Sequence, residues 1–338
     1  MSDNLKSHIN KVADGSTLSQ QEATEAFEII MSGNATPAQI GGFLMSLRLR
    51  GETVEEITGA ATAMRAKATK ISAPENAIDI VGTGGDGSGT YNISTAAAIV
   101  TAACGVPIAK HGNRALSSKS GASDVLASLG VNLNADIAHV EMAIKEANIG
   151  FLMAPLYHGA MRHVGGPRVE LGTRTIFNLL GPLTNPAGVK SQFSGTFSQD
   201  WIVPMATVLG NLGTERAWVV HGSDGLDELT TTGPSFVAEL KDGKVETFEV
   251  SPEDIGITLS KPRDLKGGDP DVNAKALSAV LHGEPGPYRD VVIYNTAAAL
   301  LIAQKADDLR DGADQATSAI DNGNALKTLE HLIAITNL

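Results

Sequence analysis

Cys104 is the only cysteine in a chain of 338 residues, which excludes an intrachain disulfide and a cysteine-rich zinc site. Within the apolar run AACGV it reads as a small buried hydrophobe. Aromatic residues are scarce as well, at 4%. A net charge of −12 argues against the lysine- and arginine-rich face that non-specific nucleic-acid binding requires, leaving open only a local basic groove. No apolar run reaches the roughly 18 residues of a membrane span, and the stretch MSDNLKSHINK has no apolar signal core. A cytoplasmic protein without membrane or nucleic-acid partners is therefore expected. The G-x-S-x-G elbow, the G-x-x-x-x-G-K-[ST] loop and a histidine pair at zinc spacing are also missing, which argues against covalent and zinc chemistry.

Hydrophobic residues make up 42% of the chain, enough for a sizeable core, and the length suits about two domains. From Asn4 to Lys70 the pattern is helical, with capping-box spacing at Ser19 and Glu22, Thr36 and Gln39, and Thr53 and Glu56. Pro37 occupies a first helical position, and Gly33 and Gly51 stand where helices stop. These signals predict an all-helical domain over residues 1–71, with Ile29, Ile30, Phe43, Leu44 and Leu47 in its core. After the break at Ser72-Ala73-Pro74, apolar runs alternate with amphipathic ones, predicting an α/β domain with a mainly parallel sheet over residues 75–338. Strands are expected at Ile78–Val81, Val106–Ala109, Gly150–Met153, Phe193–Phe197 and Ala217–Val220, and as a hairpin around Asp242-Gly243. Residues 174–190, interrupted by Gly181-Pro182 and Asn185-Pro186, read as a crossing that joins the helical domain in part.

The run VGTGGDGSGTYNIST, Val81 to Thr95, is where chemistry is concentrated. Its five glycines let backbone N–H groups approach a phosphate, and Ser94 and Thr95 stand at a helix start, whose partial positive charge favours an anion. Gly82, Gly84 and Gly87 match the dinucleotide spacing G-x-G-x-x-G, but that site needs an acidic residue about 20 positions on. Here the next strand runs instead into Lys110, His111, Gly112, Asn113 and Arg114, which suit phosphate or pyrophosphate. Asp227-Glu228 follows a strand on a Gly-rich turn and reads equally as a magnesium pair or as an ordinary acidic first helical turn. Arg168, after Gly165-Gly166-Pro167, is one candidate to hold an anionic substrate; Arg162, His163 and Arg174 compete with it. His158 reads as a packing histidine.

Six motifs carry a resemblance across nearly the whole chain: GTGGD at 82–86, NIST at 92–95, KHGNR at 110–114, SSKSG at 117–121, GPLTNP at 181–186 and HGSDGLDEL at 221–229. In this order and spacing they resemble the anthranilate phosphoribosyltransferases. The resemblance implies transfer of the 5-phosphoribosyl group from phosphoribosyl pyrophosphate to anthranilate, the second step from chorismate to tryptophan. It implies a homodimer, each subunit joining a helical to an α/β domain, with two magnesium ions per subunit. By match to the family motifs, phosphoribosyl pyrophosphate would meet Gly82, Gly85, Asp86 and Thr90, then Asn92, Ile93, Ser94 and Thr95. The second stretch around it would be Lys110, His111, Gly112, Asn113, Arg114, Ala115, Leu116, Ser117 and Ser118, with Ala122 at the edge. Anthranilate would meet Gly82, Asn113 and Arg168, and the metal ligands would be Ser94, Asp227 and Glu228. No general base is nominated. The nearest rival is a pyrimidine nucleoside phosphorylase, against which the KHGNR run and the acidic pair weigh. A non-catalytic nucleic-acid-binding relative would be expected to lack that pair and to carry a basic groove.

Overall fold

The computed structural model describes residues 5–113 and 120–338. Four helices open the chain: α1 (Lys6–Ala13), α2 (Gln20–Met31), α3 (Pro37–Arg50) and α4 (Val54–Lys67). All three capping boxes form. The Ser19 hydroxyl accepts the Glu22 N–H at 3.3 Å while the Glu22 carboxylate accepts the Ser19 N–H at 2.8 Å, and Thr36 with Gln39 and Thr53 with Glu56 repeat the exchange. The five named core residues are buried. Their core does not end at residue 71, because Val164, Ile176, Phe177, Leu180 and Leu183 pack into it together with one face of the sheet.

The rest alternates: β1 (Ile78–Gly82), α5 (Ile93–Ala103), β2 (Ile108–Gly112), α6 (Ala122–Ser128), α7 (Ile137–Glu146), β3 (Ile149–Met153), α8 (Ala154–Tyr157), α9 (Arg162–Leu171), α10 (Phe177–Leu180), β4 (Ser191–Gly195), α11 (Ile202–Asn211) and β5 (Arg216–Gly222). The hairpin β6 (Ser235–Lys241) and β7 (Lys244–Val250) follows, then α12 (Pro270–Leu281), α13 (Pro287–Ile302), α14 (Leu309–Asp321) and α15 (Asn324–Thr336). One seven-stranded sheet has the order β3-β2-β1-β4-β5-β6-β7. Its first five strands are parallel and the last two antiparallel. Asp242 and Gly243 both have positive φ, 51° and 74°, as a type I′ hairpin turn needs. Along β5, Trp218 and Val220 face the core shared with α5 and α13, while Ala217 and Val219 face the helical side, the period-two alternation of a strand buried on both faces.

Strand β2 runs further than the expected end at Ala109. Lys110, His111 and Gly112 stay paired with Phe151, Leu152 and Met153 of β3, while β1 and β2 pair only at Ile78 and Ile108 and then part. Side chains occupy the gap. The Lys110 ammonium donates to the Ile80 carbonyl, and the Asp79 carboxylate accepts the His111 N–H at 3.1 Å and the Asn185 amide at 2.7 Å. Asn185 also donates to the Ala109 carbonyl at 2.8 Å, so the 181–186 segment is a buried clip on the parted strands.

Burial pushes the Asp79 carboxyl up to about 6, against the pull of Lys110 and its hydrogen bonds. A raised folded-state value means that the native state keeps its proton longer than the unfolded chain. The Asp79 contribution is therefore fully present at low pH and declines as pH rises from the ordinary carboxylate range through about 6. Asn185→Ala removes a donor to the charged form and should destabilise the protein by about 2–4 kcal/mol. Urea unfolding should show a larger deficit at pH 8 than at pH 5; an equal deficit at both would contradict this account.

Candidate active site

Read across the sheet, 3-2-1-4-5, the strand order reverses between β1 and β4, and open parallel sheets bind ligands outside the carboxyl ends of strands at such a reversal. Gly82 and Gly195, the last residues of those strands, are register partners. The turn after β5 folds back directly upon them. A Cβ on Gly195 would stand 1.4 Å from the Asp227 carbonyl oxygen, and one on Gly82 would stand 2.5 Å from the Asp227 carboxylate. Only glycine allows that approach.

Asp227, 8% exposed, accepts the Gly84 N–H at 2.7 Å, and Glu228 accepts the Ser94 N–H in the first turn of α5 at 3.0 Å. The turn thus joins the glycine loop to the helix start. Burial, then repulsion from Asp86, pushes the Asp227 carboxyl up to about 7; burial and repulsion from Asp227 and Asp86 raise that of Glu228. Lys110 offsets this in part from below: 2% exposed, its own ammonium is pulled down by burial and supported by Asp79, Glu228 and Asp227. Among the described residues no three Asp, Glu, His or Cys side chains group closely enough to hold a metal alone. Two mutually repelling carboxylates that lack a third are a donor set for a hard cation which takes its remaining oxygens from a ligand.

Gly84, Gly85, Gly87 and Gly89 all have φ between 60° and 75°, which holds the loop in a path closed to most side chains. Arg174 anchors its far side. Its guanidinium donates to the Gly85 carbonyl and lies 4.0 Å from the Phe197 ring centroid, while Arg48 of α3 donates to the Thr173 hydroxyl and the Arg174 carbonyl. Arg174, a competing anion holder by sequence, is thereby tied to the loop itself.

Arg168 does not follow a turn. It lies inside α9 with Pro167 also in the helix, its guanidinium 5.4 Å from the Phe177 ring and its value lowered by burial. Packing of α9 against α2 and α3 outweighs the poor helix propensity of Gly165, Gly166 and Pro167. A Cβ at either glycine would meet nothing within 4 Å.

The remaining sequence candidates divide by element. Thr90 bridges to Lys266, and Asp86 accepts the Ser88 N–H at 3.2 Å. Ile93 is fully buried and its N–H donates to the Tyr91 carbonyl at 3.0 Å. The Thr95 hydroxyl, 1% exposed, has no hydrogen-bond partner among the described residues. His111 is a strand residue whose Nδ1–H faces the Gly181 carbonyl at 3.2 Å; burial pulls its value down to about 3, and that of His158, 5.1 Å away ring to ring, down to about 4. Both are neutral at physiological pH. Gly112 ends β2 beside Ala122 at the start of α6, and Asn113 is exposed just beyond. Arg114, Ala115, Leu116, Ser117 and Ser118 lie outside the described residues. Gly195 and Asn185 were missed by sequence reasoning; a Gly ending a strand and an Asn between two breakers were the only hints. Cys104 is half-buried, its thiol pushed up to about 11 by burial, beside an open hollow of about 420 Å³ that holds none of the candidates.

A helical bundle sharing its core with one face of a mainly parallel sheet, and a glycine-acid crevice at the sheet's switch point, define a two-domain glycosyl transferase. Residues 6–68 match the glycosyl transferase family helical bundle domain, and residues 74–326 match the glycosyl transferase family a/b domain. An anthranilate phosphoribosyltransferase of Paramagnetospirillum magneticum is 64% identical over 98% of this chain and 96% of its own. The crystal structure of the Thermus thermophilus enzyme of that name superposes with a TM-score of 0.93 at 42% identity, covering 100% of both chains. The Saccharomyces cerevisiae enzyme, in complex with phosphoribosyl pyrophosphate and magnesium, superposes at 0.91 with 31% identity over 98% of both. The chain belongs to the anthranilate phosphoribosyltransferase family. Among the described residues no helix is long and apolar enough to cross a membrane.

Proposed function

We propose that this chain transfers the 5-phosphoribosyl group from phosphoribosyl pyrophosphate to the amine of anthranilate, releasing pyrophosphate, as the second step from chorismate to tryptophan. The observation that carries the assignment is the seating of Asp227-Glu228 on the glycine loop and the α5 start, one crevice that pairs N–H donors with carboxylates. Breaking the C1–O bond builds negative charge on the departing pyrophosphate. Loop N–H groups not taken by Asp227 or Asp86, such as those of Gly85 and Gly87, and the Thr95 N–H of α5, with the Lys110 charge behind them, are preorganised to meet it. Ser94, Asp227 and Glu228 would hold magnesium, two ions per subunit on the family pattern. When bound, magnesium neutralises the leaving group's charge.

The anthranilate amine is a neutral nucleophile near pH 7, so orientation by Arg168 and Asn113 replaces a strong base. Attack on the face opposite pyrophosphate inverts configuration at C1. A cytoplasmic homodimer completes the proposal.

Loss of anthranilate fluorescence on adding phosphoribosyl pyrophosphate and magnesium tests the activity. Unchanged fluorescence together with phosphate-dependent cleavage of thymidine or uridine would favour the nucleoside phosphorylase instead. Arg168→Ala should raise KM for anthranilate by about 10-fold or more, the scale of a lost charge-assisted contact, while moving KM for phosphoribosyl pyrophosphate little. Equal changes in both constants would remove Arg168 from the anthranilate subsite.

A further inference from the structure

Asn92 stands at the N-cap of α5, where an asparagine ordinarily caps with its own side chain, yet it makes no side-chain cap bond. Its Oδ1 is held elsewhere: it accepts the Asn273 amide at 2.9 Å and the Ser120 hydroxyl at 3.3 Å. Asn273, on α12, is 1% exposed, and its own orientation is forced, because its Oδ1 accepts the Gly268 N–H at 2.8 Å and its amide must therefore face Asn92. The approach of the 267–268 segment is as tight as that of Asp227 on Gly82. A Cβ on Gly267 would stand 2.6 Å from the Asn273 Oδ1 and 2.7 Å from the Thr90 carbonyl. Tyr288 adds a third hold, donating to the Asn92 carbonyl at 3.2 Å.

We infer that Asn273 is a positioning residue for phosphoribosyl pyrophosphate: the relay from the Gly268 N–H through the Asn273 amide to the Asn92 Oδ1 fixes which end of the Asn92 amide faces the ligand. With Oδ1 committed and one Nδ2–H donated to the Ser120 carbonyl at 3.4 Å, the Asn92 side chain keeps its other Nδ2–H for the ligand, and the Thr95 N–H, which a capping asparagine could consume, is spared. The pattern Gly267-Gly268 followed by a buried Asn273 is thus part of the phosphate site, although Asn273 lies 181 residues from Asn92 in sequence. The inference rests on the proposed function in one respect, that Asn92 touches phosphoribosyl pyrophosphate.

Steady-state kinetics on the full-length protein, with thermal denaturation as a fold control, test it through Asn92→Ala, Asn273→Asp and the double variant. Asn273→Asp keeps shape but replaces the donor with an acceptor. It should raise KM for phosphoribosyl pyrophosphate by about 10-fold, leave KM for anthranilate within about twofold, and add nothing in the Asn92→Ala background. Asn273→Ser, which buries no charge, carries the same test should the aspartate variant not fold. Equal increases in both KM values, effects that multiply in the double variant, or no change from either Asn273 substitution would overturn the inference. Were Asn92→Ala itself neutral, the assignment of Asn92 to the ligand would fail first and the inference with it.

Discussion

Asp227→Asn should lower kcat/KM by about 100-fold or more at saturating magnesium, the scale seen when a group that meets transition-state charge is removed from a preorganised site. The substitution is nearly isosteric and keeps an oxygen for the Gly84 N–H, so the loop should hold its path. What it removes is a negative charge that burial and Asp86 already oppose. Two measurements separate this from simple damage. Without magnesium the variant should melt at a temperature equal to or above that of the parent chain, because a buried repulsion has been relieved. With magnesium and pyrophosphate the parent should gain thermal stability by mass action, and the variant should gain much less. A variant that melts lower and still responds to magnesium would show that Asp227 serves the fold and not the metal.

Gly195→Ala should be the most damaging single methyl addition in the molecule's centre. The new carbon would stand 1.4 Å from the Asp227 carbonyl oxygen, and the obstacle is backbone, which cannot rotate aside as a side chain could. The 222–229 turn would have to lift from the sheet, carrying Asp227 and Glu228 away from Gly84 and Ser94. We expect a loss of about 3 kcal/mol or more in urea unfolding, together with nearly complete loss of turnover. Gly82→Ala meets the Asp227 carboxylate instead, at 2.5 Å. A side chain can yield, so this variant should retain more stability than Gly195→Ala while losing magnesium response. The reverse ranking would mean that the turn is not seated as described.

Both predictions depend on contacts between residues far apart in sequence, and that is where sequence reasoning stopped. The helices of the amino-terminal bundle were legible because a cap is local: Ser19 and Glu22, three residues apart, satisfy each other whatever surrounds them. The strands and the Asp242-Gly243 turn were legible for the same reason. The loop 82–95 reads as a phosphate cradle because glycines in that density have few other uses. Lys110 and His111, by contrast, looked like loop residues beyond the strand and are buried strand residues, since nothing local records that β1 and β2 part after their first pair. Arg168 looked like a residue after a turn, and packing of α9 against two other helices made it helical.

By itself, then, the sequence determined the helical and α/β division, the ligand class and the residue types at the crevice, because each follows from spacing within a few residues or from motifs in order. Only the tertiary structure decided that Asp227 sits on Gly82 and Gly195, that Asn185 clips the parted strands, and that Asn273 orients Asn92. Those choices are made where separate crossovers bring chain ends together at one edge of the sheet, and close approach there is a property of packing, which no local pattern of residues encodes.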